Sequence, residues 1–132
     1  MRITADTNIL VRAVVADDKK QAQVAAKVLK EAELIAVTLP CLCEFVWVLR
    51  RVYQFEQENI SNAIEALLGA ENVAVNRPAV DAGLSVLKAG GDFADGLIAY
   101  EGEWLGGDTF VSFDKRAVSL LSNQGKQTML LK

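Results

Sequence analysis

Apolar positions recur along the chain at two spacings. Short runs of three to five residues, Arg2–Ala5, Leu34–Thr38, Val73–Val75, Thr109–Phe113 and Thr128–Leu131, have the length and β-branched content of strands. Between them the apolar residues fall three and four apart, the period of helices with one buried face. Ile9, Leu10, Ala13 and Val14 follow the cap-type residues Thr7 and Asn8. Asp17 and Asp18 suit the start of a second helix, whose inward stripe is Ala22, Ala25, Val28, Leu29 and Ala32. Pro40 fits the first turn of a third, carrying Leu42, Phe45, Val46, Leu49 and Tyr53. Asn59 or Ser61 opens the next, ended near Gly69. Pro78 begins a helix closed by Gly90-Gly91, Asp92 begins one that runs to about Trp104, and Lys115–Ser122 forms the last.

Strands that alternate with helices predict an α/β fold with a mostly parallel central sheet covered on both faces. In such sheets functional groups gather at the carboxyl ends of the strands. Asp6 follows the first strand and Asp114 the fourth, which predicts both acids at one sheet edge. The length of 132 residues predicts a single domain over 1–132. With 52% apolar and 23% charged residues the composition is globular. The longest strong apolar run, Phe45–Leu49, is too short for a membrane span, and the acid at position 6 interrupts any secretory signal. A cytoplasmic protein without membrane association is the expectation.

Two compositional facts narrow the chemistry. The net charge of −3 means that a polyanion must be met by local basic groups or by metal. The absence of histidine removes Ser-His-Asp and Cys-His catalysis and cleavage by paired imidazoles. Cys41 and Cys43 cannot complete a four-ligand zinc site and read as partly buried free thiols. Carboxylates are left as the candidates. Asp6 has Thr7 and Asn8 beside it as alternative caps, which leaves it available as a ligand. Glu44 is the one charge between Thr38 and Arg50, and an ionised Glu in an apolar helix calls for a partner or a metal. Asp92, directly after two glycines, is the better cap; Asp95, one turn inside, is the preferred ligand, with Asp92 as cap or outer ligand. Asp114 precedes a short helix and is either ligand or cap.

Acids gathered together raise one another's pKa, and a divalent cation relieves the repulsion. Oxygen ligands without His or Cys suit Mg²⁺ or Mn²⁺. Such an ion lowers the pKa of bound water and offsets charge developing on a phosphodiester. Arg12, Arg50, Arg51, Lys115 and Arg116 are candidates to steer a phosphate backbone.

The start Asp6-Thr-Asn-Ile-Leu10, the helix-borne Glu44, Asp92-Phe-Ala-Asp-Gly-Leu-Ile-Ala99 and Thr109-Phe-Val-Ser-Phe-Asp114 together resemble the PIN-domain ribonucleases. The likeness runs the whole chain and is nearest to the compact VapC-type toxins of bacterial toxin–antitoxin pairs. It implies a three-layer α/β/α sandwich with a mostly parallel sheet. The acidic quartet would be Asp6, Glu44, Asp95 and Asp114. Ser112 would supply the small hydroxyl before the last acid, and Asn8 or Thr7 the polar support of the first. The implied activity is endonucleolytic cleavage of RNA with Mg²⁺ or Mn²⁺, by a homodimer inhibited by a small antitoxin. Gly96 stands where the family commonly has Ala, and a helical Gly costs about 1 kcal/mol relative to Ala, which predicts a looser helix under Asp95.

Two other readings compete. A haloacid-dehalogenase-like phosphatase needs an Asp at position 8, where this chain has Asn8. A receiver needs a phosphoacceptor Asp after a middle strand, and none follows Leu34–Thr38 or Val73–Val75. A catalytically silent PIN-like module that binds RNA or protein would use Trp47, Phe45, Tyr53 and Trp104 as a partner surface, although their helical spacing also suits a core.

Overall fold

A computed structural model describes residues 1–132, in which five short strands are separated by seven helices, three consecutive pairs and one single helix. The chain forms two compact units, Met1–Asn76 and Arg77–Lys132. The first contains β1 (Arg2–Thr4), α1 (Thr7–Val14), α2 (Lys19–Glu31), β2 (Leu34–Ala36), α3 (Leu39–Arg51), α4 (Gln57–Leu68) and β3 (Val73–Ala74). The second contains α5 (Arg77–Lys88), α6 (Phe93–Trp104), β4 (Phe110–Ser112), α7 (Lys115–Asn123) and β5 (Thr128–Leu130). Every strand pairing is parallel, as the alternation of strands and helices predicts. The pairing falls into a three-stranded sheet, β1-β2-β3, and a two-stranded sheet, β4-β5. Asp6 and Asp114, expected at one sheet edge, thus each follow a strand of a different sheet.

In the first unit Ile3 lies in register with Ile35, and Ile35 with Val73. Ile35 is buried, and so are the apolar stripes of the helices: Leu10 and Val11 of α1, Leu42, Phe45 and Leu49 of α3, Ile60 and Ile64 of α4. Each such large side chain contributes about 1.5–3 kcal/mol on burial. Thr38 caps α3 by accepting from the Cys41 amide, and Pro40 occupies the first turn, where no amide hydrogen is needed. Asn72, just ahead of β3, donates to the carbonyls of Leu29 and Ala32 at 2.9 and 3.0 Å, satisfying the open end of α2. Helix α4 starts at Gln57, earlier than the Asn59 or Ser61 expected. Its cap position, Glu56, makes no side-chain cap bond, so the start is set by packing of Ile60 and Ile64 rather than by capping chemistry.

In the second unit the core is Val80, Leu84 and Leu87 of α5, Phe93 and Leu97 of α6, and Leu121 of α7. Gly90 takes a positive φ of 94° that ends α5, and the Gly91 amide donates back to the Val86 carbonyl at 2.9 Å. That reversal delivers Asp92 to the start of α6. No helix is long and apolar enough to cross a membrane.

Candidate active site

Asp6 leaves β1 and caps α1, its Oδ1 accepting from the Thr7 amide at 2.8 Å. The expectation that Thr7 and Asn8 relieve it of this duty is corrected. Thr7 is buried at 5% exposure and is occupied elsewhere, while Asn8 is exposed. The Thr7 hydroxyl donates to Cys41 Sγ at 3.8 Å, and the Cys41 thiol donates to the Ala5 carbonyl at 3.5 Å. These two contacts latch the end of β1 to the first turn of α3, three residues before Glu44. Burial pushes the Cys41 thiol up, the Thr7 hydrogen bond opposes the rise, and the negative charges of Asp6 and Glu44 add to it. The thiol therefore stays protonated as a donor, and both acids act on the same buried group. Sequence reasoning read Cys41 as structural and missed the latch. Its signal was a small polar side chain directly after Asp6 and a thiol one turn before Glu44.

Glu44 is exposed, which corrects the expectation of an acid forced into an apolar helix. The buried stripe of α3 is Cys41, Leu42, Phe45, Val46 and Leu49, and the helical period turns Glu44 away from it. Trp47 shares that outward side at 59% exposure, whereas Phe45 is core.

In the second unit Asp92 caps α6 as expected, accepting from the Ala94 amide at 3.2 Å. Asp95 lies in the first turn and is half-buried. Its carboxyl is raised above the ordinary range, first by burial and then by the negative charges of Asp92 and Asp114. Asp114 caps α7, its Oδ1 accepting from the Arg116 and Ala117 amides at 3.0 and 3.1 Å. The Ser112 hydroxyl accepts from the Asp114 amide at 2.9 Å and so fixes the turn that presents this acid.

Gly96 does not loosen α6. A Cβ there would collide with the Ala82 carbonyl and lie 2.8 Å from Gly83 Cα, so its absence lets α6 press directly on the backbone of α5. Gly83 answers in kind, since a Cβ on it would meet the Phe93 ring at 2.7 Å. The crossing that seats Asp95 depends on both glycines.

The quartet thus divides in two. Asp6 and Glu44 belong to the first unit, Asp95 and Asp114 to the second, where Asp92 joins them. No group of three or more Asp, Glu, Cys or His side chains that could hold a metal ion is formed. Of the expected phosphate-steering residues, Arg12 is engaged. It contacts Asp17 at 2.6 Å and donates to the Tyr53 hydroxyl at 3.1 Å, while Tyr53 donates to Asp17 at 3.1 Å. Arg51, Lys115 and Arg116 are exposed and Arg50 is half-buried.

The chain is thus a parallel α/β fold that sets acids at strand ends and helix starts, where such folds carry their functional groups. The sequence matches the family model of the PIN domain over residues 3–120. The chain belongs to the PIN domain family, and its fold is of the nuclease type. No curated protein matches it closely enough to count as a relative.

Proposed function

We propose that the protein is a metal-dependent endoribonuclease, the toxin of a type II toxin–antitoxin pair, with residues 1–132 acting as one PIN domain. The observation that carries the reading is Asp95. A half-buried carboxyl whose charge is disfavoured by burial and by two neighbouring acids is an expensive arrangement for a structural residue. A divalent cation removes the expense, and oxygen donors alone suit Mg²⁺ or Mn²⁺, the ions we assign to the site. Asp6 and Asp95 would hold the ion, with Glu44 and Asp114 completing its surroundings directly or through water, and Asp92 as an outer ligand. When bound, the ion supplies an activated water and charge compensation at the phosphate. Capping amides already engage one oxygen each of Asp6 and Asp114, which fixes these carboxylates before any ligand arrives. Ser112 holds the turn before Asp114, and Thr7 holds the strand end before α1 through Cys41. Asn8, exposed two residues after Asp6, would support it.

The toxin assignment rests on the likeness of the motifs to VapC-type proteins, with a homodimer in the cytoplasm as its working form. An apolar cleft of about 660 Å³ in the first unit, lined by Leu10, Val14, Leu29, Ala66 and Leu67 among others, would take the apolar face of a small antitoxin.

The test is cleavage of structured and single-stranded RNA with Mg²⁺ or Mn²⁺, with and without chelator. Cutting that needs the ion and is lost in Asp6→Asn supports the reading; equal cutting by both proteins overturns it. Metal binding without turnover on any RNA would instead identify a silent binding module. Growth arrest on expression, relieved by co-expression of a small antitoxin from a neighbouring reading frame, would support the toxin role, and unimpaired growth would overturn it.

A further inference from the structure

Helix α3 carries more than its acid on the open side. Glu44, Trp47 and Arg51 are spaced three and four apart, which places them within about 60° of one another around the helix. All three are exposed. Along the axis the tryptophan follows the acid by about 4.5 Å and the arginine by about 10.5 Å. An indole left in water beside a free guanidinium is poor economy for a folded surface, because burying such a ring is worth several kcal/mol. It is the pattern of single-strand binding surfaces, where an aromatic face takes an unpaired base and a cation takes the phosphate next to it.

We propose that Trp47 is a stacking platform for an unpaired base next to the cleaved phosphodiester, with Arg51 receiving an adjoining phosphate. The inference rests on the nuclease reading in one respect: a face bearing an active-site acid has to stay open to the substrate, and Trp47 is the next exposed side chain along it.

The molecule contains its own control. Trp104 is more exposed still, at 78%, but it ends α6 beside Glu101 and Glu103. The nearby Lys126 is already paired with Glu103 at 2.7 Å. A phosphate chain is repelled there, so exposure alone does not select a platform; charge does.

The experiment measures binding of a short single-stranded RNA and of a hairpin duplex by anisotropy in Ca²⁺, with the RNA checked for integrity. Trp47→Ala should weaken single-strand binding about 5- to 150-fold, the range for loss of one stacked base. Trp47→Phe should recover most of it, and Trp104→Ala should leave it unchanged. Arg51→Ala should lower the salt dependence by about one phosphate contact. In a Trp104→Phe protein, where Trp47 alone emits, the single strand should quench the fluorescence and the duplex should not. Single-strand affinity unchanged in Trp47→Ala overturns the proposal. If that variant also turns a dimer into a monomer, the face is a contact between copies. Loss of the nuclease reading is distinguishable: RNA that binds through Trp47 but is never cut removes the enzyme and keeps the platform, whereas RNA that is cut and binds independently of Trp47 does the reverse.

Discussion

The two units hold their acids by different means. In Met1–Asn76, Asp6 and Glu44 stand exposed, and what places them lies underneath: a buried chain of weak polar contacts from Thr7 to Cys41 to the Ala5 carbonyl. In Arg77–Lys132 the acids crowd one another, and what places them is steric. Gly83 and Gly96 let α5 and α6 meet backbone to backbone, and Asp95 is carried partly into the protein with them. A polar latch loses its contacts one at a time when altered. A close-packed crossing admits a methyl group only if the helices shift. The first arrangement tolerates substitution by graded loss, the second by displacement, and the second also carries an electrostatic cost at Asp95.

The largest effect that separates them should come from Asp95→Asn. Cleavage should fall by about 10²- to 10³-fold, the scale for loss of one group that stabilises transition-state charge. Without metal, however, the variant should unfold at higher denaturant than wild type. The sign follows from linkage. The folded-state pKa of Asp95 is raised, so its proton is held more tightly in the native protein, and stability falls as pH rises through the unfolded and then the folded value. Asp95→Asn should flatten that fall, which urea midpoints across acid and neutral pH would show. A variant that is both inactive and less stable at neutral pH would mean that the acids do not strain the second unit.

Gly96→Ala probes the crossing itself. Helix propensity favours Ala by about 1 kcal/mol, yet overpacking against a backbone carbonyl costs about 1–3 kcal/mol and has no flexible neighbour to absorb it. We expect a net loss of stability on denaturant unfolding and a drop in metal affinity, since Asp95 is the adjacent residue. A stabilised variant would show that α6 has slack.

Asp114 separates capping from chemistry. Asp114→Ala should lose about 1 kcal/mol with the cap, whereas Asp114→Ser keeps a capping oxygen and most of the stability. Both should lose cleavage. Retained cleavage in the serine variant would leave Asp114 a cap and nothing more.

On the other side of the comparison, Cys41→Val keeps the position apolar and removes the latch. The expected cost is about 0.5–1.5 kcal/mol, the net value of an intramolecular hydrogen bond, with weaker Mn²⁺ binding by calorimetry. The smallest effect belongs to Asp17. Burial raises its carboxyl, but the hydrogen bond from Tyr53 and the charge and hydrogen bond of Arg12 more than offset this and bring it below its ordinary value. Its contribution is present above the unfolded pKa and is lost as pH falls through the folded one. Asp17→Asn should lower Tm slightly at neutral pH and remove that acid-side loss.

What could be read from sequence was everything that depends on neighbours in the chain. The alternation of strand runs with helical stripes predicted the parallel α/β fold, and the strand-to-helix junctions predicted where acids would stand. Asp92 as the cap of α6 and Gly90-Gly91 as the end of α5 followed from local geometry, because capping and chain reversal involve only a few adjacent residues. Wherever a residue's role depends on a distant partner, local pattern misled. Glu44 looked buried by its neighbours in sequence but faces outward on α3. Asp6 looked free of capping because the commitment of Thr7 to Cys41, 34 residues away, cannot be seen along the chain. Gly96 looked like a weakness because propensity is a property of one helix, whereas its worth is set by the backbone of another. The sequence by itself determined the fold class, the family and the supply of acids. Only the tertiary structure decided which acid is strained, which glycine is indispensable and which tryptophan stands open beside an arginine, since each is a matter of what packs against what.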